Sequence, residues 1–150
     1  MRRSIIVAIL FALAAGTAID ARQQLQRINP PGVSTPATYS HIVRSGKTVY
    51  IAGQVATTAD GKVAGATMKD QLDQVLKNLQ TTLKSQGLDF SHVAKITIYT
   101  TSAKEFNVPE IVEMRHRYFG EHRPASTQVQ VSALANPALM VEIEAIAIAP

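Results

Sequence analysis

The sequence reads Val141-Glu142-Ile143-Glu144-Ala145-Ile146-Ala147-Ile148 near its carboxyl terminus, with an apolar residue at every odd-numbered position. This alternation predicts a β-strand that turns Val141, Ile143, Ala145 and Ala147 to one face. The other face carries Glu142 and Glu144, followed by Ile146 and Ile148. A sheet face with these isoleucines, extended by Met140, is too apolar to remain in water. The segment therefore predicts a sheet that is covered on its second face by self-association.

Two amphipathic helices precede this strand. Leucine and valine recur at three- and four-residue steps in the first helix, which we expect to end at Gly87. Its apolar stripe consists of Leu72, Val75, Leu76, Leu79 and Leu83, and its remaining surface of Gln71, Gln74, Lys77 and Asn78. The second helix is predicted to begin at Pro109, a residue favoured in the first helical position, and to end at Gly120.

The remaining segments predict strands and turns. We expect strands at 39–44, 48–55, 93–100, 126–131 and 139–148, with turns at Ser45-Gly46-Lys47 and around Asp60-Gly61. Ala94, Ile96 and Ile98 should share one face of the third of these strands. The order β-β-α-β-α-β-β predicts a single α+β domain in which two helices cover one face of a mixed sheet.

The amino terminus has the three parts of a secretory signal peptide. Arg2 and Arg3 are followed by an uncharged apolar run and then by small residues. The apolar run is shorter than the roughly 20 residues that a transmembrane helix needs. We expect a signal peptide over residues 1–21, cleaved after Ala18 or Ala21, and a periplasmic or secreted protein without membrane attachment after cleavage. Residues 22–38 are predicted as an extended lead-in, and residues 39–150 as the domain.

Charge and residue content exclude several kinds of function. The net charge is +4 at pH 7 and the basic residues are scattered, so no concentrated basic face for nucleic acid is expected. The chain has no cysteine, which excludes disulfides and thiolate chemistry. The histidines His41, His92, His116 and His122 have no metal-ligand spacing, so no metal site is expected.

Several pieces of the sequence, in this order and spacing, resemble the RidA (YjgF) family of imine and enamine deaminases. They are Tyr39, the segments 51–55 and 95–99, the helix that contains Asn78, and the segment 142–147. The resemblance implies a chorismate-mutase-like fold and a homotrimer with a small-molecule cleft between each pair of subunits. It also implies cofactor-independent hydrolysis of imines and enamines. A nuclease activity of the kind attributed to some relatives fits the charge distribution poorly.

The resemblance also assigns roles to individual residues. Tyr39 matches a tyrosine that helps to bind the substrate carboxylate, and Gly53 a glycine whose backbone lies against the ligand. Glu142 matches the catalytic glutamate, which positions and activates water. In the family a backbone carbonyl, usually that of a cysteine, helps the glutamate to position the water. The backbone carbonyl of Gln128 takes its place in this chain.

One position departs from the family pattern. Ser126 follows Pro124-Ala125 where the deaminases have the arginine that binds the substrate carboxylate. A serine hydroxyl replaces only a small part of a bidentate charge-assisted contact. Arg123 is the nearest alternative cation, but an odd spacing from Ser126 within one strand would turn it to the opposite face. The sequence therefore predicts either a hydrolase with an altered substrate range, weak on 2-imino acids, or a non-catalytic trimer that binds a small metabolite.

Overall fold

The computed structural model describes residues 24–150, and the predicted signal peptide over residues 1–21 lies outside this range. The strands are β1 (Gln26–Ile28), β2 (Ile42–Ser45), β3 (Thr48–Val55), β4 (Val93–Thr100), β5 (Ala125–Gln130) and β6 (Val141–Ile148). The helices are α1 (Met68–Lys84), the single-turn α2 (Ala103–Phe106) and α3 (Pro109–Phe119), and a 3-10 turn spans Phe90–His92. No helix within residues 24–150 combines the length and apolar character needed to cross a bilayer.

The described strands form one six-stranded mixed sheet in the order β1-β2-β3-β6-β4-β5. Only the β4–β5 pair is parallel. The closing strand β6 lies between β3 and β4 and pairs antiparallel with both. Its residues alternate between buried and more exposed positions, as the sequence predicted. The α+β class, the mixed sheet and the single domain are confirmed.

Helix α1 covers the inner face of the sheet, where it packs against β3 and β6. The five residues of its apolar stripe are fully buried. Helix α3 begins at Pro109, ends at Gly120 and contributes Ile111 and Met114 to the same core. The outer face of the sheet has no helix on it within the described residues and exposes Tyr50, Val129 and Ile148.

Several predicted element boundaries were wrong. The lead-in contains a strand, β1, which forms because its backbone pairs with β2. Helix α1 ends at Lys84 with Ser85 as its C-cap, and Gly87 lies in the following turn. A bulge between Val93 and Lys95 turns Ala94 outward, so that Val93 joins Ile96 and Ile98 on the buried face.

The amides Gln71 and Asn78 of α1 were predicted on the surface but are buried. Asn78 donates from Nδ2 to the carbonyls of Val55 (3.0 Å) and Thr57 (2.8 Å), just where β3 ends. Gln71 donates from Nε2 to the carbonyl of Ala138 (2.7 Å) and accepts through Oε1 from the N–H of Met140 (2.8 Å). Because a side chain binds the Met140 backbone, β6 begins at Val141 and not at Leu139.

Replacing Asn78 with leucine should destabilise the fold. The change keeps the branched shape of the side chain but removes the Asn78 donor from the Thr57 carbonyl and leaves the Val55 carbonyl with only the N–H of Thr57, a loss of about 1–3 kcal/mol in the free energy of unfolding. Urea denaturation measures the difference. Gln80→Leu is the matched control, since Gln80 lies on the same helix, is partly exposed and makes no side-chain hydrogen bond within residues 24–150. Equal losses in the two variants would contradict the role given to Asn78.

Candidate functional site

A β-bulge at Ala52–Gly53 shapes the backbone on one side of the site. Ile51 pairs with Ala145 and Gln54 with Ile143, so β3 contains one more residue than the facing part of β6. The extra residue bends the strand and moves the backbone of Ala52 and Gly53 out of the regular ladder. Gln54, only 2% exposed, stabilises the bend by donating from Nε2 to the carbonyl of Ala52 at 2.8 Å.

His41 fixes the orientation of the Gln54 amide. The Nε2 of His41 lies 2.6 Å from the carbonyl of Ser34, and its Nδ1 lies 3.1 Å from the Nε2 of Gln54. A carbonyl only accepts, so Nε2 carries the proton, and Nδ1 is free to accept from Gln54. The bulge is therefore held by a chain of hydrogen bonds that starts at Ser34, outside the sheet.

The bulge brings Gly53 under the side chain of Glu142. A Cβ atom at position 53 would overlap the carboxyl group of Glu142. Glycine therefore leaves the space that the Glu142 carboxyl occupies, and a larger residue here would displace that carboxyl. The backbones of Glu142 and Val55 pair across the two strands. This pairing fixes the backbone position from which the Glu142 side chain extends.

Burial raises the pKa of the Glu142 carboxyl above its ordinary value, and the negative charge of Glu144 on the same strand raises it further. No cation forms an ion pair with Glu142 within residues 24–150. A half-buried carboxyl group with a raised pKa is suited to exchanging protons with a bound molecule.

Glu142 lines an open cleft of about 460 Å³ together with Tyr39 and Gly53. Tyr39 is 52% exposed, and its ring stands edge-on to the ring of His41, with the ring centroids 5.7 Å apart. The other wall comes from the segment that precedes β6. The complete lining is Tyr39, Ala52, Gly53, Val55, Ala135, Asn136, Leu139 and Glu142.

Sequence reasoning missed the two amides of α1 that hold the walls of this cleft. Asn78 binds the end of β3, and Gln71 binds the segment that leads into Glu142. Both flank the apolar stripe and stand seven residues apart, which places them on one side of the helix. That spacing was the signal that could have identified them.

The structure does not bring Ser126 and Arg123 into the Glu142 cleft of the same chain. They line a second cavity of about 220 Å³ between α3 and the start of β5, here called the α3–β5 gap. The expectation that Arg123 faces away from Ser126 was wrong, because β5 begins only at Ala125 and strand alternation does not extend to residue 123. Gln128 pairs with Ile98 on β5 and also lies outside the Glu142 cleft.

The α3–β5 gap is rich in cationic and imidazole side chains. Its polar lining consists of Arg115, His116, His122, Arg123 and Ser126. Neither in this gap nor elsewhere in residues 24–150 do three side chains of His, Cys, Asp or Glu come together as a metal site would require. Each chain therefore presents an acidic cleft and, separately, a basic gap.

Known proteins show the same sequence pattern and fold. A family model described as endoribonuclease L-PSP matches residues 31–149. The chain is 33% identical over 128 residues to the human 2-iminobutanoate/2-iminopropanoate deaminase, which covers 85% of this chain and 90% of that protein. It is 36% identical over 110 residues to a RutC family protein of Pyrococcus horikoshii, covering 73% of this chain and 85% of the relative.

Solved structures agree with these sequence matches. The crystal structure of RidA from an Antarctic Psychrobacter superposes with a TM-score of 0.75 at 30% sequence identity. The match covers 82% of this chain and 98% of that one. The names of the relatives point to chemistry of the imine deaminase type.

The pH dependence of stability should change when Glu142 becomes glutamine. A folded-state pKa above the unfolded value means that the folded protein binds more protons, so the free energy of unfolding falls as the pH rises from the ordinary value of 4.5 through the raised pKa. Glu142→Gln removes this loss and should therefore be more stable than the original protein at high pH, with the difference shrinking in acid.

Urea unfolding across this pH range measures the effect. Glu113→Gln is the matched control, since Glu113 lies exposed on α3 and makes no ion pair within the described residues. A constant difference between Glu142→Gln and the original protein at every pH would contradict the raised pKa.

Proposed function

This chain belongs to the RidA (YjgF) family, described by its family model as endoribonuclease L-PSP, and on that premise we propose that it hydrolyses imine- or enamine-type metabolites with an altered substrate range. The observation that carries the proposal is the carboxyl group of Glu142. It lies half-buried above Gly53, in an open cleft, with its pKa raised by burial and by Glu144.

The cleft contains the acid–base group that such a hydrolysis needs. Glu142 takes a proton from a water molecule as the water oxygen attacks the imine carbon, and the C=N π electrons move to nitrogen. Glu142 returns its proton to nitrogen to give a carbinolamine. A second proton then passes from the carbinolamine hydroxyl to nitrogen as the C–N bond breaks, so that ammonia leaves and the C=O bond forms. An enamine enters the same sequence after a proton is added to its carbon. Tyr39, at the mouth of the cleft, is suited to orient the substrate through its hydroxyl.

A homotrimer would join the two halves of the site. The outer face of the sheet exposes Tyr50, Val129 and Ile148, each with about two fifths or more of its surface accessible. Burying such residues against a second copy is favourable, at about 25 cal/mol per Å² of apolar surface. In the proposed trimer Ser126 and the Gln128 carbonyl of one subunit lie near Glu142 of the next.

The proposed location of this activity is the periplasm or the outside of the cell. The support is the basic, apolar and small-residue pattern of residues 1–21. The expected ligand is a small metabolite that reaches this compartment, bound without a cofactor.

The measurement of hydrolysis is ammonia release from 2-iminobutanoate generated in situ. The original protein should turn over slowly, Glu142→Gln should lose this turnover, and Ser126→Arg should increase it by about tenfold or more. The increase is expected because a charge-assisted contact to the substrate carboxylate contributes roughly 1.5–3 kcal/mol, and each 1.36 kcal/mol or so is a factor of ten in rate.

Two results would contradict the proposal. Ammonia release that is unchanged in Glu142→Gln would remove Glu142 from the reaction. No ammonia release from the original protein or from Ser126→Arg would favour the alternative, a non-catalytic trimer that binds a small metabolite.

Sedimentation measures the proposed trimer directly. The mature protein should sediment with about three times the mass of one chain. Tyr50→Lys should reduce that mass, because it places a charge on the apolar outer face. Lys104→Glu, on the surface of α2, is the control and should leave the mass unchanged. A monomeric original protein would contradict the trimer.

A further inference from the structure

His41 contacts two parts of the Glu142 cleft without lining the cleft itself. The residue is 4% exposed, and its ring stands edge-on to that of Tyr39, with the ring centroids 5.7 Å apart. No other aromatic ring within residues 24–150 contacts the ring of Tyr39. The backbone carbonyl of His41 accepts from the N–H of Ala52 at 2.9 Å. One buried histidine therefore touches both the tyrosine at the mouth of the cleft and the bulge beside Glu142.

Both polar groups of the Ala52 backbone depend on His41. The N–H of Ala52 donates to the His41 carbonyl, and the Ala52 carbonyl accepts from the Nε2 of Gln54 at 2.8 Å. The same Nε2 donates its second hydrogen to the Nδ1 of His41, at 3.1 Å. Ala52 immediately precedes Gly53, over which the Glu142 carboxyl lies. The backbone beside that carboxyl is therefore held by the main chain of His41 and, through Gln54, by its ring.

The side-chain hydrogen bonds around His41 can run in only one direction. They begin at the Ser34 carbonyl and end at the Ala52 carbonyl, and a carbonyl only accepts. His41 must therefore donate from Nε2, and Gln54 must turn its amide nitrogen toward Ala52. The Nδ1 of His41 is left as the acceptor between them. A proton on Nδ1 would set one donor against another, so only one tautomer of neutral His41 satisfies the whole set.

The place of the His41 ring is fixed from outside the cleft. Its Nε2 lies 2.6 Å from the Ser34 carbonyl, and its backbone N–H donates to the Oδ1 of Asn29 at 2.9 Å. Both acceptors belong to the lead-in that precedes Tyr39. A ring held at these points presents Nδ1 to Gln54 in one position, and supporting hydrogen bonds of this kind are what keep a reactive group in its productive geometry.

We propose that His41 is a positioning residue for the hydrolysis and acts through the unprotonated Nδ1 of its ring. By accepting from Gln54, Nδ1 keeps the Ala52–Gly53 bulge in the form that leaves space for the Glu142 carboxyl. His41 contacts no reacting atom, and proton transfer stays with Glu142. The inference rests on the proposed function and adds to it a residue outside the cleft that determines how the acid–base group meets the substrate.

Two substitutions of similar shape isolate the Nδ1 acceptor. His41→Asn places an amide oxygen near the position of Nδ1 and can still accept from Gln54, whereas His41→Leu offers no acceptor. Both lose the ring contact with Tyr39, so their KM values for 2-iminobutanoate should differ by about twofold at most. The kcat of His41→Leu should be about tenfold or more below that of His41→Asn, because a misplacement of about 1 Å costs up to about a hundredfold in rate. Equal kcat values would overturn the inference.

The same two substitutions at His92 are the matched control. His92 lies in the 3-10 turn and does not line the Glu142 cleft. His92→Asn and His92→Leu should therefore have equal kcat values. A difference as large as that at His41 would show that the acceptor effect is not specific to the bulge, and it would overturn the inference.

NMR tests the same role without turnover. The ring nitrogens of His41 in the original protein should show a protonated Nε2 and an unprotonated Nδ1 at the pH of the assay, and the opposite tautomer or a doubly protonated ring would overturn the inference. The pKa of the Glu142 carboxyl should lie closer to its ordinary value of 4.5 in His41→Leu than in His41→Asn, because a relaxed bulge no longer holds the carboxyl half-buried. A purely structural role would lower the stability of the variants and leave this pKa the same in both, which would also overturn the inference.

The outcomes separate this inference from the proposed function. If the original protein releases no ammonia, the hydrolysis fails, and the ring resonances and the Glu142 titration still decide the role of His41. Turnover that needs Glu142 but is equal in the two His41 variants would leave the hydrolase standing and overturn the inference. If His41→Leu does not fold, His41→Asn decides, since a kcat within about threefold of the original supports the acceptor role and a loss of about tenfold or more overturns it.

Discussion

The carboxyl group of Glu142 occupies the space that a side chain at position 53 would fill. The carboxyl holds this position because residue 53 is glycine and because the bulge at Ala52–Gly53 lifts the backbone out of the regular ladder. Gln54 and His41 stabilise the bulge from below, and Asn78 binds the carbonyls where β3 ends. The position of one carboxyl group thus depends on two sets of hydrogen bonds to β3, one that leads from Ser34 to the bulge and one from helix α1 to the end of the strand. The buried amides of α1 belong to the site as much as to the core.

The two polar regions of the chain have opposite character. In the Glu142 cleft, burial and the charge of Glu144 make ionisation of the carboxyl group less favourable and raise its pKa. The α3–β5 gap holds Arg115 and Arg123. The guanidinium of Arg115 lies over the ring of Phe106, and its buried Nε has no acceptor among residues 24–150. Hydrolysis of a charged imine needs both characters, a group that moves protons and a group that holds an anion. The proposed trimer supplies the contact between them, and the apolar outer face supplies the reason for the trimer to form.

Sequence patterns predicted those features that depend on local periodicity. The alternation in residues 141–148, the stripe of Leu72 to Leu83 and the proline at position 109 each gave the right element, since burial of one face follows directly from spacing. The bulges at Ala52–Gly53 and Ala94 were not predicted, because an extra residue is recognised only against the register of its partner strand. Asn78 looked like a surface residue because polar groups at the edge of an apolar stripe are usually solvated. Arg115 gave no signal, since only its tertiary contact with Phe106 distinguishes it from the other cations of α3.

The placement of Glu142 over Gly53 is tested most directly by a carbon-detected NMR titration of the Glu142 carboxyl, in the original protein and in Gly53→Ala. The original protein should titrate above the ordinary value of 4.5, because the carboxyl is partly buried beside Glu144. An added methyl group at position 53 should push the carboxyl toward solvent and return its pKa toward that value, while the amide spectrum keeps the pattern of the folded sheet. A Glu142 that titrates at the ordinary value, or a raised pKa that survives in Gly53→Ala, would contradict this arrangement.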